Sequence, residues 1–194
     1  MEHWRYYIRG RLLEALGRAE ASMAAYQAAL RVKPDFHRCS NRIAYILAGL
    51  ERYAEAEPYF RAVLHADPGN AVAHFNLGYT YDKRGMFEKA IEAFRAATRL
   101  NPKIDRAWYG MGLAHAALGK HDDAARALRE AATLQPMNSH AWYQLGMAYH
   151  KLHNAEKVNE VVMHLLRFDP KMTRRLIVDA ERSDLAHLVE HLVV

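Results

Sequence analysis

The sequence has little of what marks secreted or membrane-spanning proteins. Its 194 residues include a single cysteine, Cys39, so no disulfide can form within the chain. No apolar run approaches the roughly 18 residues that a membrane span needs, and the N-terminal segment MEHWRYYIRG has no apolar signal-peptide core. We therefore expect a cytoplasmic protein without membrane insertion, unless the chain is part of a longer one, and a partly buried thiol at Cys39.

Concentrated charge and catalytic motifs are also missing. The 27 basic and 22 acidic residues give a net charge of +5, but the basic residues are scattered, whereas nucleic-acid-binding proteins usually concentrate them on one face. The chain has no glycine-rich phosphate loop and no serine or cysteine nucleophile motif. These absences predict a protein that is not an enzyme, needs no cofactor and binds no nucleic acid.

One short segment has the spacing of a metal site. Residues 187–191 read HLVEH, the H-x-x-E-H arrangement of inverted zinc peptidases, in which two histidines one helical turn apart bind zinc. Resemblance to that family implies a third ligand, a glutamate, from far downstream, and this chain has only three further residues. We predict no catalytic metal site; adventitious zinc binding by His187 and His191 is the alternative.

The prolines are few, but their spacing reveals the organisation of the chain. Five of the six stand 34 residues apart, namely Pro34, Pro68, Pro102, Pro136 and Pro170. A fixed period of this length indicates a repeat array. We divide the chain into five units, 3–36, 37–70, 71–104, 105–138 and 139–172. The sixth proline, Pro58, lies within the second unit and predicts a local helix kink there.

Other positions repeat in phase with the prolines. Position 8 is small in every unit: Gly10, Ala44, Gly78, Gly112 and Gly146. Position 20 is small in four units (Ser22, Ala56, Ala90 and Ala124), and position 24 is large or branched in all five (Tyr26, Phe60, Phe94, Leu128 and Val162). Each unit is predicted to form two helices around a turn, which glycine marks in three units, with the second helix ending just before the proline. A glycine such as Gly78 then lets the two helices approach closely.

This pattern resembles the tetratricopeptide repeat, which has 34 residues and the spacing W-x2-LG-x2-Y, then A-x3-F, then P. The third unit carries it as Leu77, Gly78, Tyr81, Ala90, Phe94 and Pro102, and the next two units supply Trp108 and Trp142. The resemblance implies an all-α fold, a right-handed superhelical solenoid of antiparallel helix pairs. It further implies that the first helices line a concave groove that binds proteins or peptides.

The last part of the chain departs from the repeat. Val158 and Leu165 stand where most of the other units have small residues, so we expect the fifth helix pair to be splayed or repacked against the C-terminal segment. Residues 173–194 predict a short helix and then an amphipathic helix with Leu185, Leu188, Val189 and Leu192 on one stripe. We expect this segment to cap the array; pairing with another chain or lying in the groove are the alternatives.

A candidate binding surface lies on the first helices. At 100° per residue, positions 2, 5, 6, 9, 12 and 13 lie opposite the packing face. They carry aromatic residues (Trp4, Tyr7, Tyr45, Phe75, Tyr79, Tyr109 and Tyr143) and six basic residues (Arg11, Arg38, Arg42, Lys83, Arg106 and Lys151) against only Glu14 and Asp82. Aromatic walls with excess positive charge suit an extended peptide that is acidic or ends in a C-terminal carboxylate.

From this set the predicted peptide-binding residues are Asn41, Arg42, Tyr45, Phe75, Asn76, Tyr79, Lys83, Arg106, Tyr109 and Tyr143. The alternative for any one aromatic residue is packing between neighbouring helices. The hypothesis is a non-catalytic adaptor or scaffold for a protein or peptide partner whose identity the sequence does not give. A self-associating homo-oligomer formed through the termini, motivated by Trp4, Tyr7 and Ile8, and a non-catalytic targeting domain of a larger enzyme are the two alternatives.

Overall fold

The computed structural model describes residues 1–190 and contains no strand within them. The chain divides into two compact units, Met1–Leu100 and Asn101–Val194. The helices of the first unit are α1 (Glu2–Ala15), α2 (Ala19–Val32), α3 (His37–Gly49), α4 (Tyr53–Ala66), α5 (Ala71–Lys83) and α6 (Phe87–Leu100). The described helices of the second are α7 (Asp105–Ala117), α8 (His121–Leu134), α9 (Ser139–Lys151), α10 (Ala155–Leu165), α11 (Pro170–Asp179) and a 3₁₀ helix (Ser183–Leu188). The all-α prediction is confirmed.

The turns within the helix pairs need a left-handed residue at one recurring position. Gly17, Gly85 and Gly119 all have φ of +70°, a conformation that costs glycine nothing. The corresponding residues of the other two pairs are Glu51 and His153, with φ of 59° and 54°. The backbone at these two residues therefore has a conformation that is unfavourable for residues with a Cβ.

The repeating prolines end the second helices and also anchor the helices that come after them. The helices α2, α4, α6 and α8 each end two residues before a proline, as predicted. The Trp108 Nε1–H donates to the carbonyl of Pro102 at 2.9 Å, and Trp142 makes the same bond to Pro136. The fifth proline differs from the prediction: α10 ends at Leu165, and Pro170 is the first residue of α11. Proline suits that position because its missing N–H would be unpaired there anyway.

The small and large repeat positions pack as predicted in the first unit. A Cβ added to Gly10 would lie 2.5 Å from the Tyr26 ring, and the Ser22 hydroxyl donates to the Gly10 carbonyl at 2.9 Å. Cys39 is also buried, and burial raises the pKa of its thiol to about 11. The thiol therefore stays protonated and unreactive at neutral pH. Helix α4 continues through Pro58, so the helix is not interrupted there; the kink itself stays a prediction.

The end of the chain repacks, as the sequence predicts. In α7 a Cβ at Gly112 would lie 2.6 Å from Leu128 of α8, its partner helix. In α9 the contact of Gly146 is instead with Leu176 of α11, where a Cβ would lie 2.7 Å from Cδ2. The fifth unit has Val162 at the repeat position of Leu128, and the side chain nearest Gly146 is Leu176 of α11.

The segment after α11 is a 3₁₀ helix rather than the predicted amphipathic α-helix. Its Leu185 and Leu188, together with the adjacent Val189, pack against the core of α8 to α11. Leu192 lies outside the described residues. No helix within residues 1–190 combines the length and the apolar character needed to cross a membrane.

Candidate functional site

The predicted binding residues of the first unit lie on α3 and α5. We call them the first-unit surface; they are Asn41, Arg42, Tyr45, Phe75, Asn76, Tyr79 and Lys83. Tyr45 and Tyr79 are the most open of its aromatic residues, with 51% and 40% of their surface exposed. Large exposed tyrosines suit binding, because they offer contact area at little entropic cost.

Tyr79 is held between two neighbours. The ammonium group of Lys83 lies 5.4 Å from the centroid of its ring, within the range of a cation–π interaction. The Tyr53 ring, at the start of α4, meets it edge-on at 6.1 Å. The aromatic face is therefore ordered before any ligand arrives, which lowers the entropic cost of binding.

The contribution of Tyr53 could not be found from the sequence. This residue occupies a turn-proximal position where the other units have Ala19, Phe87, His121 and Ala155. No periodic signal marks that position. Only the three-dimensional contact with Tyr79 reveals it.

Asn76 carries an unsatisfied donor. Its side-chain Nδ2 is buried and has no hydrogen-bond partner, although its backbone carbonyl accepts from the Thr80 hydroxyl at 2.8 Å. A buried donor without a partner costs about 1 to 3 kcal/mol. A peptide carbonyl would satisfy it once the side chain rotated toward the surface. The neighbouring Phe75 is half-buried, and its ring contacts that of Phe94 at 6.0 Å, so Phe75 contributes to packing.

Arg42 is occupied within the protein. Its Nε donates to Glu14 Oε2 at 3.0 Å and its Nη2 to the other carboxylate oxygen. The Tyr26 hydroxyl donates to the same Oε2 at 2.7 Å. The ion pair neutralises Arg42, which reduces the charge it can offer a ligand. Asn41, one residue earlier, is half-buried.

An acidic side chain lies beside this surface. Asp82 is half-buried on α5, and burial raises the pKa of its carboxyl above the usual range, a rise that the adjacent Lys83 opposes. Keeping this carboxylate charged at neutral pH therefore costs the folded protein free energy.

In the second unit, two of the three predicted residues take part in packing. Tyr109 is half-buried against apolar residues of the core, and burial raises its pKa. The Tyr143 hydroxyl donates to Asp179 of α11 at 2.6 Å, and the Arg175 guanidinium lies 4.9 Å from the ring centroid. The third residue, Arg106, is exposed on α7. Tyr109 and Tyr143 therefore make contacts within the second unit, whereas Tyr45 and Tyr79 are exposed.

Residues 1–190 contain no group of three or more side chains placed to hold a metal ion. The Nδ1 of His187 lies 3.0 Å from the carbonyl of Asp184. The second histidine of the HLVEH segment, His191, lies outside the described residues.

The chain is similar to proteins of known family and structure. The family model described as tetratricopeptide repeat matches residues 7–71, 75–136 and 109–157. The structure of the MamA protein superposes with a TM-score of 0.79 at 21% identity, covering 95% of this chain and 96% of that one. MamA from Desulfovibrio magneticus RS-1 superposes at 0.76 and 20% identity, covering 86% of this chain and 97% of its own.

A third similar structure is that of YrrB, described as a TPR protein with an unusual peptide-binding site. It has a TM-score of 0.79 at 23% identity and covers 91% of this chain and 90% of its own. At these identities, the structural likeness establishes the shared fold alone.

Proposed function

Because the chain belongs to the tetratricopeptide repeat family, we propose that it is an adaptor that binds an extended, acidic or C-terminal segment of a partner protein. The repeats of this family are non-catalytic protein-interaction modules. The peptide-binding site described for YrrB, a protein of the same fold, supports a peptide as the ligand.

The observation that carries the proposal is the pairing of an open tyrosine with an unsatisfied amide. Asn76 and Tyr79 stand three residues apart on α5, so their side chains share one face of the helix. Tyr79 is 40% exposed, and the Nδ2 of Asn76 lacks a hydrogen-bond partner. An extended peptide laid along this face would stack on the ring, and rotation of the Asn76 side chain toward it would let the amide donate to a main-chain carbonyl.

The preference for an acidic segment rests on Lys83. No described residue places a carboxylate within ion-pair distance of it, and its ammonium lies beside the Tyr79 ring. A ligand carboxylate at this point would gain a charge-assisted hydrogen bond. Arg106, which the sequence also predicts to bind the partner, is exposed on α7.

The test is capture of the partner from native extract, followed by titration of the captured segment. We expect Tyr79→Ala, and separately Lys83→Met and Arg106→Ala, to weaken binding while circular dichroism stays unchanged. Tyr59→Ala is the matched control, because Tyr59 is half-buried on α4, outside the surface. If the affinity survives Tyr79→Ala and Lys83→Met together, the proposed first-unit surface is wrong.

A second candidate function is self-association through α1. Ile8, Leu12 and Leu16 lie one helical turn apart and are 56%, 62% and 72% exposed. The aromatic residues Trp4 and Tyr7 support it less, because both pack edge-on against Phe36. Sedimentation velocity across about a hundredfold range of concentration decides the matter: a monomer throughout eliminates this candidate, and a dimer that Leu12→Glu dissociates supports it.

A further inference from the structure

A partly buried carboxylate organises one side of the first unit. Glu57 on α4 accepts from the Tyr81 hydroxyl at 3.0 Å and forms an ion pair with Arg84. Arg61 approaches the same carboxylate at 3.8 Å, and the Lys89 ammonium lies 5.7 Å from the centroid of the Tyr81 ring. Burial raises the pKa of Glu57, but the bonds from Arg84 and Tyr81 outweigh it and leave the pKa below its usual range.

Two repeat periods later, the same cluster recurs without its carboxylate. The tyrosine, the lysine and one arginine return as Tyr149, Lys157 and Arg129, each 68 residues further along the chain. Ala125 stands in place of the glutamate, and Leu152 in place of the second arginine.

Where the carboxylate is missing, there is a cavity. It lies between α8, α9 and the start of α10 and has a volume of about 350 Å³. Ala125, Arg129, Tyr149 and Lys157 line it. This volume falls within the range of about 300 to 1,000 Å³ that is usual for small-ligand pockets. We call it the Ala125 cavity.

The cavity presents donors without a matching acceptor. The Arg129 Nε donates to the Tyr149 hydroxyl at 3.1 Å, and the Lys157 ammonium lies 5.3 Å from the centroid of the same ring. Among residues 1–190, neither cation has a carboxylate within ion-pair distance, and the Tyr149 hydroxyl has no acceptor for its own proton.

Two further charged groups lie at the rim of the cavity. Arg126 is paired with Asp123, and Asp122 contributes a negative charge. Counting the lining side chains together with Asp123, three cations face two carboxylates, so the surroundings of the cavity remain net positive.

We propose that the Ala125 cavity binds a carboxylate supplied by another molecule, in the place that Glu57 fills in the first unit. The incoming carboxylate accepts from the Tyr149 hydroxyl and pairs with Lys157 and Arg129. Such charge-assisted bonds are roughly twice as strong as neutral ones. The carboxylate can come from a free organic acid, from an acidic side chain or from a chain terminus, since the recognised group is the same.

This site is separate from the proposed peptide surface. Tyr149 lies six residues after Tyr143 on α9, which places the two side chains about 120° apart around the helix axis. Carboxylate binding at the Ala125 cavity therefore does not depend on the adaptor function.

The primary experiment is a nuclear magnetic resonance titration of the full chain with sodium acetate, against sodium chloride at equal ionic strength. We expect saturable amide shifts around Ala125, Tyr149 and Lys157 with acetate only. The double variant Arg129→Met, Lys157→Met should weaken the response by about tenfold or more, since it removes the two cations that pair with the carboxylate.

Two surface substitutions serve as the matched control. Arg99 and Lys103 are both exposed and lie outside the cavity, so Arg99→Met with Lys103→Met should leave the acetate response unchanged. Equal shifts with chloride, or an acetate response that survives loss of Arg129 and Lys157, would overturn the proposal.

A reciprocal exchange tests the internal comparison. Ala125→Glu should fill the cavity, abolish the acetate response and raise the melting temperature, whereas Ala24→Glu, at an exposed position of α2, should do neither. Glu57→Ala should create a new acetate response in the first unit. If Ala125→Glu does not fold, the Arg129 and Lys157 variants still decide the question.

The source of the carboxylate is resolved by three further probes. A peptide with a glutamate side chain and an amidated end, a peptide with a free C-terminus and no acidic side chain, and inorganic phosphate are titrated in turn. Binding of either peptide assigns the source, and binding of acetate alone assigns a free organic acid. Binding of phosphate without any carboxylate would overturn the chemical class.

Discussion

Gly78 on α5 lies directly against Phe94 on α6, so close that a Cβ at Gly78 would stand 2.7 Å from Cδ1 of the ring. A glycine inside a helix costs about 1 kcal/mol relative to alanine. The buried ring offsets that cost, because Phe94 is 1% exposed and full burial of such a side chain stabilises the fold by about 1.5 to 3 kcal/mol. The glycine is therefore a packing residue rather than a ligand contact.

Gly78→Ala should destabilise the first unit despite the better helix propensity of alanine. The added methyl forces the Phe94 ring to move, and overpacking of this kind costs about 1 to 3 kcal/mol. The measurement is urea unfolding followed by circular dichroism. Gly49→Ala is the control, since a Cβ there meets nothing within 4 Å. A Gly78→Ala variant more stable than the parent would contradict the packing interpretation.

Glu51→Gly and His153→Gly should each stabilise the protein. Both residues have positive φ, and this conformation costs a residue with a Cβ about 1 to 2 kcal/mol. Glycine removes that cost, but its greater freedom in the unfolded chain offsets about 0.4 to 1 kcal/mol of the gain in stability. We expect a net rise in melting temperature, and a fall for Gly85→Ala at the corresponding turn. The strain argument requires that the melting temperature rise for the two glycine substitutions and fall for Gly85→Ala. A shift in the same direction for all three variants would refute it.

The 34-residue period predicted the helix pairs, and it did so because the packing positions obey it. The pair Gly78 and Phe94 is followed one period later by the equivalent pair Gly112 and Leu128. The contact within each pair could therefore be expected from the spacing alone. The contact between Gly146 and Leu176 could be anticipated only as a repacking, since Leu176 belongs to the segment after the repeats.

The bonds that the predicted binding residues make within the protein were less predictable from the sequence. The helical period places Arg42 and Tyr143 on the exposed face, but it does not show that Glu14 pairs with the first and Asp179 bonds the second. Such bonds depend on side-chain conformations and on neighbours outside the repeat unit. The period therefore predicts which face a residue lies on, and the structure decides which residues on that face remain available.

Leu176→Ala should destabilise the second unit strongly. Leu176 is fully buried over Gly146, and truncating a buried leucine costs about 2 to 5 kcal/mol. Val178→Ala, on the same helix but at a position 67% exposed, should change little. Tryptophan fluorescence reports the loss through Trp108 and Trp142, both in the second unit. Equal stability of the two variants would mean that α11 is not part of the core.

Asp82→Asn should stabilise the protein at neutral pH and lose that effect in acid. Burial raises the pKa of Asp82 in the folded state, so the folded protein holds this proton more tightly than the unfolded chain does. The contribution of Asp82 to the free energy of unfolding is therefore complete below its unfolded pKa of about 3.9. That contribution is lost as the pH rises through the folded pKa. Asparagine never ionises, so it avoids the loss.

We expect the gain in the free energy of unfolding from Asp82→Asn to be constant well above the folded pKa and to shrink towards zero near pH 3, in denaturant titrations at several pH values. The control is Asp35→Asn, at an exposed position. The same substitution at Asp82 removes a negative charge beside Lys83, so it should also tighten binding of an acidic peptide. A gain that is equal at pH 3 and pH 7 would show that the effect comes from the amide itself and not from the burial of a charge.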